Sequence, residues 1–561
     1  MSKLLKNDKF ILFVFLLSGG LLSAFLQYEL VWDFMNYHYF NAWAFLNGRV
    51  NYDVAVAGLN EFFNPLADIP LYYLIEYLNS YPRVIHFVQG LWFGALLFVF
   101  YKIALFYLST DTLKDKILLV LCLAIALTGQ AAFMQIGTST NEIMIAFLVL
   151  LSLYLLLKEL FETKSGNRRP FVLSGLILGS AMGLKLTAVI YCLGTGMTLL
   201  LFYKAVKNQN RNILLFILFG LVGFLLFNGL WMWKMWQNFN NPLFPFANAV
   251  FQSPWLSEDN FTDSTFVPKS ITEFLLWPLI LSFSLIRKEG HDMFVSDMRP
   301  LIVYFIFIYF GIKYLCNLLR KKHLALEPKY LFLTVFFVLS YVIWAVFFSI
   351  SRYYVVLEML SAVYIVKALY YKTPKTLFGE IFYYTFLLLL SFVLLSTPYF
   401  SDNWGGRYSW KKLGLDEDAY IAVEPVNIPH DTLFVTYNYP TAGFLAYWGR
   451  KVPLRGVNMQ QVTYAAVEDG KQFDYFNYHP KWNEKKNSVL KERKGPIFAL
   501  VSKEYVKKSD INFEKDPLLR HLYCKKLINN QLPFVYLCVP KGLETVVFET
   551  LARKKDKMSL E

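Results

Sequence analysis

The feature that most constrains this chain is a series of long apolar stretches separated by short polar segments. A helix that crosses a bilayer needs roughly 20 predominantly apolar residues, because its backbone polar groups must bond within the helix. Such stretches lie at 10–31, 84–108, 117–136, 141–157, 171–184, 186–203, 212–235, 301–319, 330–350, 353–371 and 377–399. The pair that meets at Lys185 is short, and is either two thin spans or one hairpin. The sequence therefore predicts an α-helical polytopic membrane protein with about 11 transmembrane helices.

Composition excludes an ordinary soluble enzyme. Of the 561 residues, 56% are hydrophobic and 17% are charged, and the mean hydropathy is +0.39, whereas soluble domains carry about 25% charged residues. The net charge of +14 does not indicate a nucleic-acid partner, because no basic run is interleaved with stacking aromatics. The first stretch is long and no small-residue cleavage pattern follows it, so we expect an uncleaved anchor.

The excess of Lys and Arg instead indicates how the chain is oriented in the membrane. With a cytoplasmic N-terminus, the cytoplasmic segments collect 21 of the 30 Lys and Arg residues between 1 and 399. The outer segments, including the longer loops 32–83 and 236–300, receive the other nine. This asymmetry follows the positive-inside rule. We therefore expect a multi-pass protein of the cytoplasmic membrane whose C-terminal part lies outside the cell or in the periplasm.

The polar part of the chain is C-terminal. Residues 400–561 hold 25 Lys and Arg and 19 Asp and Glu. Strand-like runs at 432–437 and 496–501, the first leading through Pro440 to a helix, predict a small α/β domain over 401–561, beside a transmembrane domain over 1–400. Cys524 and Cys538 lie in two strand-like runs, either as a disulfide in an oxidising compartment or as two unpaired thiols.

The first outer loop begins with an aromatic-rich segment at 32–49, whose aromatics recur at helical spacing. This pattern predicts an amphipathic helix lying in the membrane interface, and a second such helix, bent by prolines, follows at 61–73. Asp33 stands where the first span leaves the membrane, a costly position for a carboxylate unless it faces water or a partner. Asp33 is therefore either a simple boundary residue or a functional acid in a cavity.

Three further polar residues fall on the same predicted side of the membrane, and each has a structural alternative. Glu142 begins the fourth span, where Ser139-x-x-Glu142 also fits a capping box. Lys185 is flanked by apolar helices, and either extends to the interface or binds an anion as a point charge. Arg352 precedes Tyr353, and either binds phosphate with its planar fork or anchors the interface.

In this order the features resemble the GT-C superfamily of integral-membrane glycosyltransferases. The resemblance covers residues 1–400. It includes the acid Asp33 after the first span, the pattern Asn-Ala-x-x-x-Leu-x-Gly-Arg at 41–49, a second interfacial helix, and Glu142 at the start of the fourth span. It also includes the glycine-rich span that ends at Lys185, the loop at 240–248, and Arg352 with Tyr353. Such enzymes take sugars from polyprenyl-phosphate donors, so the resemblance implies such a donor and a lipid, glycan or protein acceptor.

The resemblance implies a role for each candidate residue. Asp33 would be the general base that deprotonates an acceptor hydroxyl as it attacks the anomeric carbon, in an inverting transfer of a hexose or pentose. Lys185 and Arg352 would bind the departing phosphate. Further substrate-binding candidates are Glu142, Asn36, His38, Asn64 and Asp68.

No metal is required by this scheme, and neither Asp33 nor Asp68 belongs to an Asp-x-Asp pair. A divalent cation held by Glu142, Asp68 and His38 stays an alternative. His38 is otherwise a solvated residue on the polar face of an interfacial helix.

Two other classes of membrane protein compete with this hypothesis. A transporter or lipid-linked glycan flippase would place polar groups near the bilayer midplane, often in repeated halves. A glycan polymerase or ligase would share an outer-face site and would use a pair of arginines in a large outer loop, where this chain offers Arg287 and Arg299.

Overall fold

The computed structural model describes residues 7–26, 28–29, 32–256, 266–283, 297–320, 327–369, 381, 385, 390, 407–408, 419–437, 440–458, 467–468, 471–472, 480–502, 518–532 and 535–548. The chain divides into two compact units. The first unit comprises Met1–Leu26, His86–Gly229 and Asp263–Gly406. The second comprises Gln27–Ile85, Leu230–Thr262 and Arg407–Glu561, so the first predicted outer loop belongs with the C-terminal domain.

Helices dominate the chain up to residue 369. In chain order they are α1 (Asp8–Phe25), α2 (Tyr39–Leu46), α3 (Ile69–Leu78), α4 (Pro82–Tyr107), α5 (Leu113–Leu127), α6 (Gln130–Met134), α7 (Glu142–Leu157), α8 (Arg168–Leu184), α9 (Val189–Leu201), α10 (Gln209–Phe239), α11 (Asn248–Phe251), α12 (Ile271–Phe283), α13 (Arg299–Leu319), α14 (Pro328–Phe347) and α15 (Val355–Leu369). A π-helical turn, Phe34–His38, precedes α2, and another, Lys158–Thr163, extends α7.

Within the described residues, six helices are long and apolar enough to cross a membrane. They are Asp8–Phe25, Pro82–Tyr107, Glu142–Thr163, Gln209–Phe239, Arg299–Asn317 and Pro328–Phe347. Each coincides with a predicted span. The chain is therefore a mostly helical, membrane-embedded protein.

The predicted count of about eleven spans is not confirmed. The stretches at 171–184, 186–203 and 353–371 do form helices, but α8 has 17 residues, α9 has 13 and α15 has 15. The stretch at 117–136 is divided between α5 and α6. The last stretch, 377–399, lies outside the described residues except for three single positions. At a rise of 1.5 Å per residue, α8, α9 and α15 are each shorter than the core of a bilayer.

The glycine-rich pattern at 175–183 has a packing explanation. A Cβ atom at Gly179 would lie 1.8 Å from the carbonyl oxygen of Gly220 on α10, and one at Gly175 would lie 2.2 Å from that of Phe216. Only glycine therefore permits this approach of α8 to α10. Small residues one turn apart let membrane helices pack backbone to backbone.

The second unit contains the C-terminal α/β domain. Besides the helices given above, the described strands and α-helices of the second unit are β1 (Tyr28–Glu29), which precedes the first predicted outer loop, and, in the C-terminal domain, β2 (Arg407–Tyr408), β3 (Thr432–Tyr437), α16 (Ala442–Gly449), β4 (Leu454–Asn458), β5 (Val467–Glu468), β6 (Lys471–Gln472), α17 (Pro480–Glu492), β7 (Ile497–Ser502), β8 (Leu522–Lys526), β9 (Val535–Pro540) and α18 (Glu544–Phe548). A five-stranded sheet has the order β4-β3-β7-β9-β8, with β4, β3 and β7 parallel and β9 antiparallel to both neighbours. The predicted strands at 432–437 and 496–501 and the helix after Pro440 are confirmed.

Cys524 and Cys538 lie opposite each other on β8 and β9 and form a disulfide. The predicted pairing is thus present, and the alternative of two unpaired thiols is wrong.

The aromatic segment after the first span differs from its prediction. Residues 33–44 are all buried, so the π-helical turn and the first six residues of α2 have no solvated face, and the interpretation as an amphipathic interfacial helix is wrong. The second predicted helix begins at Ile69 rather than at residue 61, with Pro70 in its first turn. Proline is accepted there because the first helical N–H groups have no intrahelical partner.

Candidate functional site

Three predicted site residues from distant parts of the chain meet in the first unit. Lys185 Nζ lies 2.5 Å from Glu142 Oε1, and Arg352 Nε lies 3.8 Å from the same oxygen. The Glu142 side chain is 5% exposed, that of Lys185 17% and that of Arg352 11%. We call these three residues the Glu142 cluster. Together they carry two positive charges and one negative charge in a largely buried place.

Lys185 is placed by the break between α8 and α9. Its backbone is extended and its N–H caps α8 by donating to the carbonyl of Ala181. The ammonium group donates to Glu142 and, at 2.6 Å, to the carbonyl oxygen of Thr140. Because the side chain binds two partners within the unit, simple extension to the interface does not describe it.

Glu142 is the first residue of α7, but it does not form the predicted capping box. The N-cap residue is Asn141, which has a positive φ of 67° and makes no side-chain capping bond. The carboxylate of Glu142 turns to Lys185 instead. Its second oxygen, Oε2, is buried and has no hydrogen-bond partner in the part of the chain that the structure describes.

Arg352 lies in a short 3₁₀ turn, Ser351–Tyr354, before α15. Its carbonyl oxygen accepts a hydrogen bond from Gln135 Nε2 at 3.2 Å, while Gln135 Oε1 accepts one from Thr140 Oγ1 at 2.9 Å. The ring of Tyr353 lies 5.3 Å from the Arg352 guanidinium carbon and 5.9 Å from Lys185 Nζ. The Gln135 side chain therefore connects the backbone of Arg352 with the side chain of Thr140, whose carbonyl oxygen binds Lys185.

A second charged cluster, which the sequence did not predict, lies at the break between α5 and α6. Arg299 donates to the carbonyl of Ile125 at 2.9 and 3.1 Å, to Thr128 Oγ1 at 2.9 Å and to Asp297 Oδ1 at 2.8 Å. The two oxygens of Glu358 accept the backbone N–H groups of Ala131 and Ala132, each at 2.8 Å.

We call Arg299, Asp297 and Glu358 the Arg299 cluster. Arg299 satisfies a terminal carbonyl of α5, and Glu358 satisfies the first N–H groups of α6. One signal for this break was present in the sequence, because Gly129 follows Thr128 inside an apolar run. A Cβ atom at Gly129 would lie 2.3 Å from Glu358 Oε2. The partners themselves come from residues far along the chain.

Asp33 and the remaining predicted site residues lie in the second unit. Asp33 is buried at 5% exposure and directly precedes the π-helical turn, so it is not a solvated boundary residue. His38 Nδ1 lies 2.8 Å from Asp68 Oδ1, with both side chains buried, which excludes the solvated-face interpretation of His38. π-Helical turns inside helices occur frequently at functional sites.

Asn36 and Asn64 bind backbone groups. Asn36 Nδ2 donates to the carbonyl of Ala57 at 3.5 Å, and Asn64 Oδ1 accepts the N–H of Leu66 at 3.1 Å. Among the described residues, His38 Nε2 and Asn36 Oδ1 are buried without a hydrogen-bond partner. A bound polar group or an ordered water would satisfy these two atoms.

Glu61 is a further buried acid in the second unit. Burial raises its pKa to about 8, and the nearby Asp53 carboxylate acts in the same direction. Burial also lowers the pKa of Lys485 to about 8. Sequence reasoning passed over Glu61 because its neighbours there, Phe62 and Phe63, gave no sign of a charged partner.

The scan against protein-family models and the search of curated proteins found no match to this chain. Among the described residues, no group of three or more His, Cys, Asp or Glu side chains has an arrangement that could hold a metal ion.

Proposed function

We propose that this protein is a GT-C-type glycosyltransferase that moves a sugar from a polyprenyl-phosphate donor to an acceptor hydroxyl. The observation that supports the proposal is the Glu142 cluster, where Lys185 and Arg352 approach one carboxylate oxygen at 2.5 and 3.8 Å. The proposal places the site at the outer face of the cytoplasmic membrane, with the N-terminus inside and the C-terminal domain outside.

The chemistry of the Glu142 cluster suits a lipid phosphate. Two cations held beside a single carboxylate attract an anion, and the attraction is stronger in a largely buried place than in water. The guanidinium fork of Arg352 matches phosphate geometry, and Lys185 adds a point charge. Glu142 fixes both cations in place, so little reorganisation is needed when phosphate arrives or departs.

The reaction needs one base and one leaving group. The acceptor hydroxyl attacks the anomeric carbon and gives its proton to the Asp33 carboxylate. The bond between the anomeric carbon and the phosphate oxygen breaks, and the oxygen keeps the electron pair. Lys185 and Arg352 stabilise the charge on the departing lipid phosphate. Asn36, His38, Asn64 and Asp68 are proposed to bind the sugar or the acceptor, and a divalent cation is optional.

Lipid-phosphate binding provides the first test. Purified protein in nanodiscs is titrated with undecaprenyl phosphate and, separately, with undecaprenol, which lacks the phosphate. Lys185→Met and Arg352→Met should each weaken phosphate binding by roughly tenfold to a hundredfold, because each removes a charge-assisted contact. Neither variant should change the affinity for undecaprenol.

Lys102→Met is the matched control for this test. Lys102 also lies in the first unit, forms an ion pair with Asp8 at 3.0 Å and is 19% exposed, close to the 17% of Lys185. Its loss should leave phosphate binding unchanged. Equal affinity of the protein for the phosphate and the alcohol would contradict the proposal.

The base assignment is tested separately. Asp33→Asn should lower transfer from radiolabelled polyprenyl-phosphate hexoses and pentoses by about 10²- to 10⁴-fold, while the protein stays folded and inserted and still binds undecaprenyl phosphate. Near-wild-type transfer by this variant in purified membranes would refute the role of Asp33.

Transport of a lipid-linked glycan is the second candidate function. The interruption between α5 and α6 favours it, because transporters often contain broken helices. Both functions require lipid-phosphate binding, but only the enzyme forms a new glycosidic bond. Movement of a labelled lipid-linked sugar across the bilayer without covalent transfer would favour the transporter.

A further inference from the structure

In the second unit, helix α16 of the C-terminal domain packs directly on the segment that follows Asp33. The approach is permitted by two glycines. A Cβ atom at Gly449 would lie 2.3 Å from Cζ2 of Trp43, and one at Gly443 would lie 2.9 Å from the thioether of Met35 and 3.0 Å from its carbonyl oxygen. All three distances are shorter than ordinary van der Waals contacts. Any larger residue would therefore displace the π-helical turn or α2.

A charged contact holds the same helices from the side. Arg450, next to the end of α16, pairs with Glu76 of α3 at 2.6 Å, and Tyr39 of α2 donates to Glu76 at 3.2 Å. Phe34 of the π-helical turn packs edge-on against Tyr420 with ring centroids 5.5 Å apart. These contacts join α2, α3, the π-helical turn and the C-terminal domain.

Strand β4 provides a third attachment. Val54 donates to the carbonyl of Gly456 at 3.0 Å and pairs with Val457 as a parallel bridge. Asp53 binds Arg49 through both oxygens and also accepts the N–H of Gly456 at 2.7 Å. Because β4 is an edge strand of the sheet, residues 53–54 occupy backbone groups that an edge otherwise exposes.

We propose that the C-terminal domain acts as a positioning element for the π-helical turn and α2, and that Gly449 and Gly443 are the residues through which α16 sets their place. The functional part of this inference rests on the proposed role of Asp33, which directly precedes the π-helical turn. A misplacement of about 1 Å can cost a catalytic group about a hundredfold in rate. The domain would thus serve the reaction without touching substrate.

The test introduces a small clash and then relieves it. Gly449→Ala should speed hydrogen–deuterium exchange over residues 33–46 and lower sugar transfer about tenfold or more, while undecaprenyl phosphate binding is unchanged. Trp43→Phe in the same chain should restore both slow exchange and transfer, because Cζ2 belongs to the larger indole ring system that phenylalanine lacks. A general loss of stability, without a clash at Trp43, would not be rescued by this one substitution.

Two further variants keep the test decisive. Gly196→Ala on α9 is the control, because a Cβ atom there would meet nothing within 4 Å, and it should change neither readout. If Gly449→Ala does not fold, Arg450→Gln removes the pair with Glu76 without adding an atom to the core. It should give the same faster exchange over residues 33–46 in milder form.

Two results would overturn the positioning role. One is unchanged exchange over residues 33–46 in both Gly449→Ala and Arg450→Gln, and the other is failure of Trp43→Phe to rescue Gly449→Ala. The tests of the Asp33 base assignment and of the positioning role can fail independently of each other. Full transfer by Asp33→Asn together with faster, rescuable exchange in Gly449→Ala would refute the base assignment and support the positioning contact.

Discussion

The Glu142 cluster and the Arg299 cluster contain similar residues within the first unit but use them differently. Arg299 is 1% exposed, and it makes four hydrogen bonds to helix α5, Thr128 and Asp297. Both oxygens of Glu358 accept backbone N–H groups. In the Glu142 cluster one carboxylate oxygen has no partner among the described residues, and both cations keep some exposure.

The difference separates a structural from a functional use of buried charge. A buried charge is tolerated when hydrogen bonds replace its hydration. The Arg299 cluster meets this condition by satisfying the free ends of two helices, and so leaves little capacity for a ligand. In the Glu142 cluster, capacity for an additional anion lies in the two partly exposed cations, Lys185 and Arg352. We therefore expect substitutions in the first cluster to change mainly stability and those in the second to change mainly binding.

The largest expected effect is on stability, for Arg299→Met. This variant leaves Asp297 and the carbonyl of Ile125 without their cation, and breaking a buried ion pair costs about 3–5 kcal/mol. The free energy of unfolding, or the Tm in detergent, should fall far more than for Lys102→Met, whose partner Asp8 is 64% exposed. Equal Tm values for the two variants would remove the structural role assigned to Arg299.

Much of the helical framework was predictable from the sequence, because hydropathy alone finds α1, α4, α7, α10, α13 and α14. The break between α5 and α6 was not. It depends on Arg299 and Glu358, which lie more than a hundred residues further along the chain, and no local pattern at 117–136 carries that information except Gly129. A single apolar run was therefore predicted as one span.

A smaller effect, on affinity, is expected for Glu142→Gln. The amide oxygen introduced by this substitution can still accept a hydrogen bond from Lys185, so both cations stay in place while the competing negative charge is removed. The affinity for undecaprenyl phosphate should then stay or rise a few-fold, about 1 kcal/mol, and the Tm should change less than in Arg299→Met. A large loss of phosphate affinity would show that the charge of Glu142, and not only its hydrogen-bonding oxygen, is needed to hold the two cations in place.

The candidate site was predicted in part. The sequence predicts Glu142, Lys185 and Arg352 on one side of the membrane, and the structure brings the nitrogens of Lys185 and Arg352 within 4 Å of Glu142 Oε1. The sequence did not predict that residues 33–44 are buried, since Gly443, Gly449 and Gly456 come from a domain four hundred residues away. Aromatic periodicity identifies a helix, but it does not distinguish burial in a membrane interface from burial under a folded domain.

The last expected effect is on the pH dependence of stability and concerns the buried acid of the second unit. The pKa of Glu61 is raised by burial from 4.5 to about 8, so the folded state binds its proton more tightly than the unfolded chain. Stability from this group is fully present below about pH 4.5 and is lost as the pH rises toward 8. Lys485, whose pKa is lowered to about 8, makes stability rise with pH, but only above about that pH.

Glu61→Gln should therefore flatten the decline in Tm between pH 5 and 8, measured by thermal denaturation across that range. An unchanged decline in Glu61→Gln would assign the pH dependence to other groups.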